Sequence, residues 1–224
     1  MIITIDGPAG TGKTSVAKRV AECLHFSYFD TGAMYRAVTW AIQQKNISLS
    51  DLPRIEELLK HFSFSIKHEN KHKRYFVDAT DVTEAIRSQE VTAHVSAVSA
   101  LPPVRKALWS IQHDFAKTED TVFEGRDLGT VVFPDAEVKI FLTGRPEVRA
   151  ERRLKEILQK SPKEAAHLDQ DKMLEDLMRR DELDSTRTIA PLKCPEDAFI
   201  IDTSDLSLDE VVDRILKYKM NKYP

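Results

Sequence analysis

The feature that most restricts the fold of this chain is a glycine-rich segment near its beginning, GPAGTGKT at residues 7 to 14. An apolar run at residues 2–5 precedes it, and a helical pattern follows in which Val16, Val20 and Leu24 recur at every fourth residue. The order of strand, G-x-x-x-x-G-K-[ST] and helix is typical of a phosphate-binding loop. Backbone amides and the helix N-terminus would attract phosphate, the lysine would contact the β and γ phosphates, and the threonine hydroxyl would contact Mg²⁺. A plain glycine-rich turn between strand and helix would not explain why lysine and threonine occupy the last two positions of the motif. We therefore predict that the loop binds a nucleoside triphosphate.

Five short apolar runs lack the alternation of half-exposed strands and are typical of buried parallel strands. They lie at residues 2–5, 27–29, 122–123, 138–142 and 199–201, with helical patterns between them. Ser207 and Glu210 are spaced as a capping box before the last helix. This order predicts an α/β protein with an open parallel sheet.

A long segment between the second and third predicted strands does not fit a minimal array. Residues 62–67 alternate apolar and polar and are predicted to pair with residues 74–77 across the polar turn HENKHK. Pro102 and Pro103 are predicted to separate two helices within residues 89–117. We predict a core domain of residues 1–45 and 88–224 and an inserted subdomain of residues 46–87. The polar residues 161–169 are predicted to form a mobile flap within a lid of about residues 145–169.

Composition narrows the class of ligand and the compartment. The net charge of −3 provides no basic stripe for nucleic acid, so a small ligand is expected. No apolar stretch approaches the ~20 residues of a membrane span, and the start of the chain has no room for a signal peptide. The isolated Cys23 and Cys194 are interpreted as buried or inert thiols of a reducing compartment. We therefore predict a cytoplasmic protein.

Arg126 and Asp127 follow the third predicted strand, at the carboxyl end where open parallel sheets bind their ligands. Arg126 could clamp a phosphate with two hydrogen bonds. Asp127 could accept hydrogen bonds from an amino group or position Mg²⁺ through water. The alternative is a turn in which the two residues pair with each other and Gly125 and Gly129 serve the backbone.

The segment RRDELDSTR at residues 179–187 continues an apolar helical stripe with charged residues. Steps of four, three, four and three residues place on one face Met173, Leu177, Arg180, Asp184 and Arg187. We predict that this face points into a cleft and meets an anionic, hydroxylated ligand such as the phosphate and ribose of a nucleotide. The alternative is a surface pair of Arg180 with Asp184 that contributes about 0.3 to 0.5 kcal/mol.

Two further segments carry candidate residues. One helix face carries Arg145, Arg149 and Arg152, with Arg153 beside it. These arginines are either solvated or close over the triphosphate together with the flap. In related phosphoryl transfer a well-placed arginine contributes about 10³ to 10⁵ in rate.

DTGAMYR opens the helix after the second strand, with Asp30 or Thr31 as N-cap. Tyr35 and Arg36 follow one turn later. They are either a core residue and a surface charge or residues that reach the same cleft.

The sequence resembles the bacterial-type cytidylate kinases over residues 3 to about 218. The resemblance rests on five segments that follow one another in this order: GPAGTGKT, DTGAMYR, IRSQEV, EGRDLGTVVFPDA and RRDELDSTRTIAPL. The loop alone indicates only a P-loop protein, whereas the segments around Asp127 and Asp184 are far more restrictive. The resemblance implies a three-layer P-loop nucleotide kinase fold with a five-stranded parallel sheet, a monophosphate-binding insertion and a short lid. It also implies ATP-dependent phosphorylation of CMP and dCMP by direct in-line transfer with Mg²⁺, in a monomer without nucleic acid or membrane partners.

The resemblance also implies roles for individual residues. The implied ATP-binding set is Gly7, Pro8, Ala9, Gly10, Thr11, Gly12, Lys13, Thr14 and Ser15, with the lid arginines Arg149 and Arg153, and Thr14 contacts the metal. In the implied acceptor set, the cytosine edge is read by Thr31, Ser96, Arg105 and Asp127. The acceptor phosphate is held by Arg36, Arg126 and Arg187, and the ribose is contacted by Arg180 and Asp184. Tyr35, next to Arg36, is included among the substrate-binding residues. Carboxylate and hydroxyl groups opposite an amino group, with arginine opposite acceptors, match the hydrogen-bonding edge of cytosine. The implied catalytic residues are Lys13, Arg126, Asp127 and Arg187.

Two departures from the family pattern keep the needed groups. Thr31 replaces a serine of many members, which leaves the ranking of CMP, dCMP and UMP open. Glu124 stands where some members carry aspartate. A P-loop kinase for another small acceptor is one rival prediction. A GTPase-like switch is the other, which the lack of an N-K-x-D guanine motif disfavours, since NKYP at residues 221–224 is a terminal tail.

Overall fold

The computed structural model describes residues 1–69, 72–160 and 169–223. Its packing divides the chain into two units: unit 1 comprises Met1–Phe29 and Thr118–Pro224, and unit 2 comprises Asp30–Lys117. The predicted domain boundaries at residues 45 and 88 stay a prediction. Most of the predicted flap, residues 161–168, lies outside the described residues.

A five-stranded parallel sheet organises unit 1, as predicted. Its strands are β1 (Ile2–Asp6), β2 (Ser27–Asp30), β6 (Thr121–Glu124), β7 (Val138–Thr143) and β8 (Phe199–Asp202). The order across the sheet is β2-β6-β1-β7-β8. Ile3 pairs with Val122 on one side and Val138 on the other, so β1 is central. The carboxyl ends of β1 and β6 therefore bring Asp6 and Glu124 to one edge of the sheet.

The helices of unit 1 are α1 (Lys13–Leu24), α6 (Pro146–Lys160), α7 (Gln170–Thr186) and α8 (Leu208–Lys222). A short π-helical segment, Leu128–Val132, follows β6. The α1 stripe packs Val16 and Val20 against strand residues such as Ile5 in a continuous apolar core. The predicted capping box at the start of α8 is confirmed. Within the described residues, no helix combines the length and apolar character that crossing a membrane requires.

Unit 2 contains α2 (Thr31–Gln44), α3 (Leu52–Lys60), α4 (Gln89–Ser99) and α5 (Pro102–Ala116). A separate antiparallel sheet is formed by β3 (Phe64–Glu69), β4 (His72–Val77) and β5 (Thr80–Asp81). The predicted helix break is confirmed, because Pro102 is the first residue of α5, where its missing N–H has no helical partner to lose.

The hairpin was predicted correctly, but its turn is shorter than HENKHK. Pairing continues to Glu69 opposite His72, so four of the six turn residues belong to the ladder. Polar residues suit strands with an exposed face, and the ladder supplies backbone partners to them irrespective of their side chains.

The predicted burial of the two cysteines is wrong. Cys23 and Cys194 are both free and exposed. Cys23 belongs to the last turn of α1, past the buried positions of that helix, and Cys194 lies outside any helix or strand. Partial burial and the carboxylate of Asp6 raise the pKa of the Cys194 thiol, which disfavours its reactive thiolate form.

Candidate active site

The glycine loop joins β1 to α1 with backbone conformations that favour glycine. Gly10 has a φ of 77°, and a Cβ there would approach the carbonyl oxygen of Arg149 to 2.8 Å. At Gly7 a Cβ would collide with the carbonyl oxygen of Leu142. The loop is therefore packed closely against β7 and α6, which fixes its shape.

Lys13 and Thr14 begin α1 at the end of this loop. Lys13 Nζ donates to the Pro8 carbonyl at 2.6 Å, and its residue is only 6% exposed. Burial, followed by repulsion from Arg126, holds the pKa of Lys13 well below its ordinary value. A buried ammonium beside other cations is poised to gain from an anionic ligand.

Glu124 connects the start of α1 to β2. Its carboxylate accepts hydrogen bonds from the Thr14 hydroxyl and the Tyr28 hydroxyl, each at 2.8 Å. Within the described parts of the chain, no cluster of three His, Cys, Asp or Glu side chains could hold a metal. The Thr14 hydroxyl and the Glu124 carboxylate are nonetheless hard oxygen donors, and Mg²⁺ beside a nucleotide needs only one or two protein oxygens.

Four charged residues that follow β6 or lie on and directly after α7 form a largely buried network in unit 1. Arg126 Nε donates to Asp184 Oδ2 at 3.0 Å, and Arg187 Nη2 donates to Asp127 Oδ1 at 3.0 Å. Arg187 Nη1 also lies 3.9 Å from Asp184 Oδ1. The side chains of Arg187, Asp127 and Asp184 are 5%, 7% and 6% exposed. The predicted inward face is therefore what the structure has, and neither the surface pair of Arg180 with Asp184 nor the local pair of Arg126 with Asp127 is formed.

Arg180 lies on the same face of α7, one turn before Asp184. Its Nε is buried and donates no hydrogen bond to the part of the chain that the structure describes. Burial, with a further contribution from the positive charge of Arg126, lowers the pKa of Arg180 to about 10. A guanidinium with a buried, unused donor suits an additional anionic or hydroxylated partner.

Asp6, at the end of β1, fixes the segment that carries Asp127. Its carboxylate accepts hydrogen bonds from the amides of Leu128 and Gly129 at 3.1 and 2.8 Å. Burial raises the pKa of Asp6 to about 7, against the opposing effect of these two amides. The sequence prediction missed Asp6, although an acidic residue at a strand end directly before the loop is a usable signal.

Four arginines make different contacts: one directly precedes α6 and three lie within it. Arg149 donates to the carbonyl of Ala9 in the loop at 2.9 Å. Arg145 pairs with Asp205, Arg152 donates to the Thr203 carbonyl, and Arg153 pairs with Glu156 one turn away. Arg149 therefore contacts the candidate site in the described structure. The predicted roles of Arg149 and Arg153 toward ATP stay predictions.

Unit 2 holds the other predicted acceptor residues. Arg105 is 1% exposed, donates to the Ser99 carbonyl at 2.9 Å, and lies 5.3 Å from the ring centre of Tyr35. Arg36 Nη1 donates to the Thr92 hydroxyl at 2.7 Å. Thr31 is buried as the first residue of α2, and Asp30 is the N-cap.

Ser96 lies on α4, where its carbonyl accepts a hydrogen bond from Ser99 Oγ. Trp109 was missed by the sequence prediction, and its ring lies 5.9 Å from the Arg105 guanidinium. The roles assigned to these residues stay predictions.

The chain is similar to known proteins over nearly its whole length. A family model described as cytidylate kinase matches residues 3–221. A protein named cytidylate kinase from Protochlamydia amoebophila strain UWE25 is 54% identical over 219 residues, which cover 98% of this chain and 96% of that protein. A protein of the same name from Bacillus subtilis strain 168 is 44% identical over 215 residues, or 96% of this chain and 94% of that one.

Among solved structures, a protein from Eubacterium ventriosum described as uncharacterized is similar with a TM-score of 0.51. It is 16% identical and the match covers 99% of this chain and 98% of that one. This likeness bears on the fold alone.

Proposed function

The chain belongs to the cytidylate kinase family and is a phosphotransferase, and we propose that it transfers the γ-phosphoryl group of ATP to CMP and dCMP. The observation that carries this proposal is the buried set of Arg126, Arg187 and Lys13 with the carboxylates of Asp127 and Asp184. This set combines cations for two phosphate groups with acceptors for amino or hydroxyl groups.

The triphosphate is bound by the loop amides and by Lys13. Its negative charge replaces the carbonyl partner of the Lys13 ammonium and favours the protonated form that burial otherwise disfavours. Thr14 and Glu124 would hold Mg²⁺, which supplies charge neutralisation on the phosphate oxygens when it is bound.

No side-chain nucleophile is required, because the acceptor phosphate is already anionic at neutral pH. The barrier comes from repulsion between the two phosphate groups and from their alignment. Arg126 and Arg187 offset that repulsion, and their carboxylate partners hold the guanidinium groups in place before the ligand arrives.

Recognition of the base and the sugar is proposed to involve hydroxyl side chains and charged side chains. Thr31, Ser96 and Arg105 are proposed to read the cytosine edge. The same role is proposed for Asp127, and a contact with the ribose is proposed for Arg180 and Asp184. Arg36 is proposed to hold the acceptor phosphate, with Tyr35 beside it. Arg153 is proposed to act on ATP from the lid. We also propose that the protein is a monomer and works in the cytoplasm, where both nucleotides are available.

The test is the initial rate of ADP release with ATP and Mg²⁺ for CMP, dCMP, UMP and AMP in parallel. We expect kcat/KM to be highest for CMP and dCMP and lowest for AMP, whose base presents a different hydrogen-bonding edge. A protein with Lys13→Ala serves as the control for contaminating kinases. Phosphorylation of AMP at the rate of CMP, or of neither pyrimidine nucleotide, would contradict the proposal.

A further inference from the structure

Asp181 of α7 contacts the phosphate loop directly, although no prediction assigned it a role. Asp181 Oδ1 accepts a hydrogen bond from the amide of Ala9 at 3.0 Å. Its other oxygen, Oδ2, accepts from Arg149 Nη1 at 2.5 Å. One carboxylate therefore joins the loop to α6 from the side of α7.

Arg149 closes this contact into a ring. The same Nη1 group donates to the carbonyl of Ala9 at 2.9 Å, so both backbone polar groups of Ala9 are held by the pair. Arg149 Nε donates to the Gly144 carbonyl at 2.9 Å. In the described residues Nη2 of Arg149 donates no hydrogen bond, so this nitrogen is available to an oxygen anion at the loop.

The loop has little room to move against this ring. A Cβ on Gly10 would lie 2.8 Å from the Arg149 carbonyl oxygen and 3.2 Å from a Leu177 methyl carbon. The side chains of Arg149 and Asp181 are 6% and 18% exposed, so water competes weakly for their hydrogen bonds.

We propose that Asp181 is a positioning residue for ATP: it holds Arg149 against Ala9 so that the free Nη2 group meets the triphosphate. This inference rests on the proposed use of ATP at the loop. Asp181 acts through Arg149 and touches no phosphate itself.

The negative charge of Asp181 alone would have the opposite effect on ATP binding from the proposed positioning role, and this difference makes the inference testable. Asp181 is an anion close to Lys13 and Arg180, whose positive charges it favours. If it acted only through its charge, its removal would relieve repulsion of the triphosphate and tighten ATP binding. If it positions Arg149, its removal weakens ATP binding.

The substitution Asp181→Asn preserves the size of the side chain and an oxygen that can accept from Ala9, but its NH₂ group cannot accept from Arg149. We expect the dissociation constant for ATP, measured by calorimetry without an acceptor, to rise about tenfold, which corresponds to about 1.4 kcal/mol. The KM for ATP should rise in parallel while the KM for CMP stays within twofold. The control is Asp176→Asn, since Asp176 pairs with Arg179 on the exposed face of the same helix.

Two further variants separate positioning from a general structural role. In a protein that already carries Arg149→Ala, the added Asp181→Asn should change ATP affinity by less than twofold. Asp181→Glu keeps the charge and should lose less affinity than Asp181→Asn. The inference would be overturned if Asp181→Asn bound ATP as tightly as the unsubstituted protein or more tightly. Additive losses in the double variant, or equal losses of affinity in Asp181→Asn and Asp181→Glu, would also overturn it.

Failure of the proposed function would be seen separately. If the unsubstituted protein phosphorylates neither CMP nor dCMP, the acceptor assignment is wrong. The calorimetric comparison still decides the role of Asp181, because it contains no acceptor.

Discussion

The candidate residues of the two units are held in different ways. In unit 1, Arg126 pairs with Asp184 across 58 residues of sequence, and Asp127 pairs with Arg187 across 60. In unit 2, Arg105 donates to the carbonyl of Ser99, six residues earlier, and has the rings of Tyr35 and Trp109 beside it. The unit 1 arginines are thus held by long-range ion pairs, whereas Arg105 of unit 2 has a local backbone contact and aromatic rings.

The difference fits the two recognition tasks proposed above, phosphate binding in unit 1 and recognition of the base in unit 2. Paired charges in a buried network keep cations in place at low net charge, so that a phosphate is met without reorganisation of the protein. Aromatic rings orient a guanidinium by its flat face and leave its edge donors directed in the plane, which suits a planar ligand edge. Substitutions should therefore affect unit 1 strongly and through charge, and unit 2 more weakly and through orientation.

The largest expected effect comes from Arg187→Ala, which removes the ion-pair partner of Asp127 and a second cation beside Asp184. We expect a loss of about 2 to 5 kcal/mol in kcat/KM for CMP, the range for truncating one member of a buried charge pair. Steady-state kinetics with saturating ATP measures it. Arg179→Ala is the matched control, because Arg179 is exposed on the same helix. An unchanged kcat/KM would show that this network is not used by the acceptor.

Lys13→Ala tests the donor side of the same unit. We expect kcat to fall by about 10² to 10³, as for the loss of one preorganised donor to a developing charge. The affinity for CMP, measured by equilibrium titration, should change little because the lysine is assigned to the triphosphate. Equal turnover in a coupled assay of ADP release would refute the assignment.

The sequence predicts the elements and the face of α7 well because each depends on local periodicity. Arg180, Asp184 and Arg187 share a face whatever the helix packs against. The strands β1 and β7 read as mainly apolar runs, each interrupted by a single polar residue, Thr4 or Lys139. It does not predict which acid meets which base. Arg126 was expected to pair locally or with a ligand, but its carboxylate comes from α7, and that depends on how α7 lies over the sheet.

The same limit explains the other differences. Among the arginines of residues 145–153, contact with the loop depends on one position, Arg149, although the helical pattern gives Arg145 and Arg152 the same face. Asp181 follows the predicted Arg180 directly, but its contact with Ala9 involves a residue 172 positions away. Backbone partners of this kind carry no side-chain signal in a sequence.

Asp6 provides a pH-dependent test of unit 1. A carboxyl group whose pKa rises from 3.8 to about 7 on folding stabilises the folded state below its unfolded pKa, and this contribution is lost as the pH rises through about 7. Asn cannot titrate there. From pH 5 to pH 8 the stability of the unsubstituted protein relative to Asp6→Asn should therefore fall by roughly 2 to 3 kcal/mol.

Urea unfolding of both proteins at pH 5, 6, 7 and 8 gives this difference directly. The matched control is Asp209→Asn in the first turn of α8, where the side chain is exposed. A relative stability that is constant over this range, or that rises with pH, would show that the Asp6 carboxylate is ionised throughout and fully supported by the Leu128 and Gly129 amides.

The smallest expected effect lies in unit 2 and concerns orientation alone. Trp109→Leu removes one ring beside Arg105, an interaction of about 0.5 to 1 kcal/mol, and should raise the KM for CMP by about two- to fivefold. Trp109→Phe keeps an aromatic face, so its KM for CMP should lie between those of the unsubstituted protein and Trp109→Leu. The KM for ATP should not change in either variant. If both KM values rise together, the ring supports the fold of α5 in general. If only the KM for CMP rises, and the ring-retaining variant restores part of it, orientation of the Arg105 guanidinium by aromatic faces distinguishes unit 2 from the ion-paired network of unit 1.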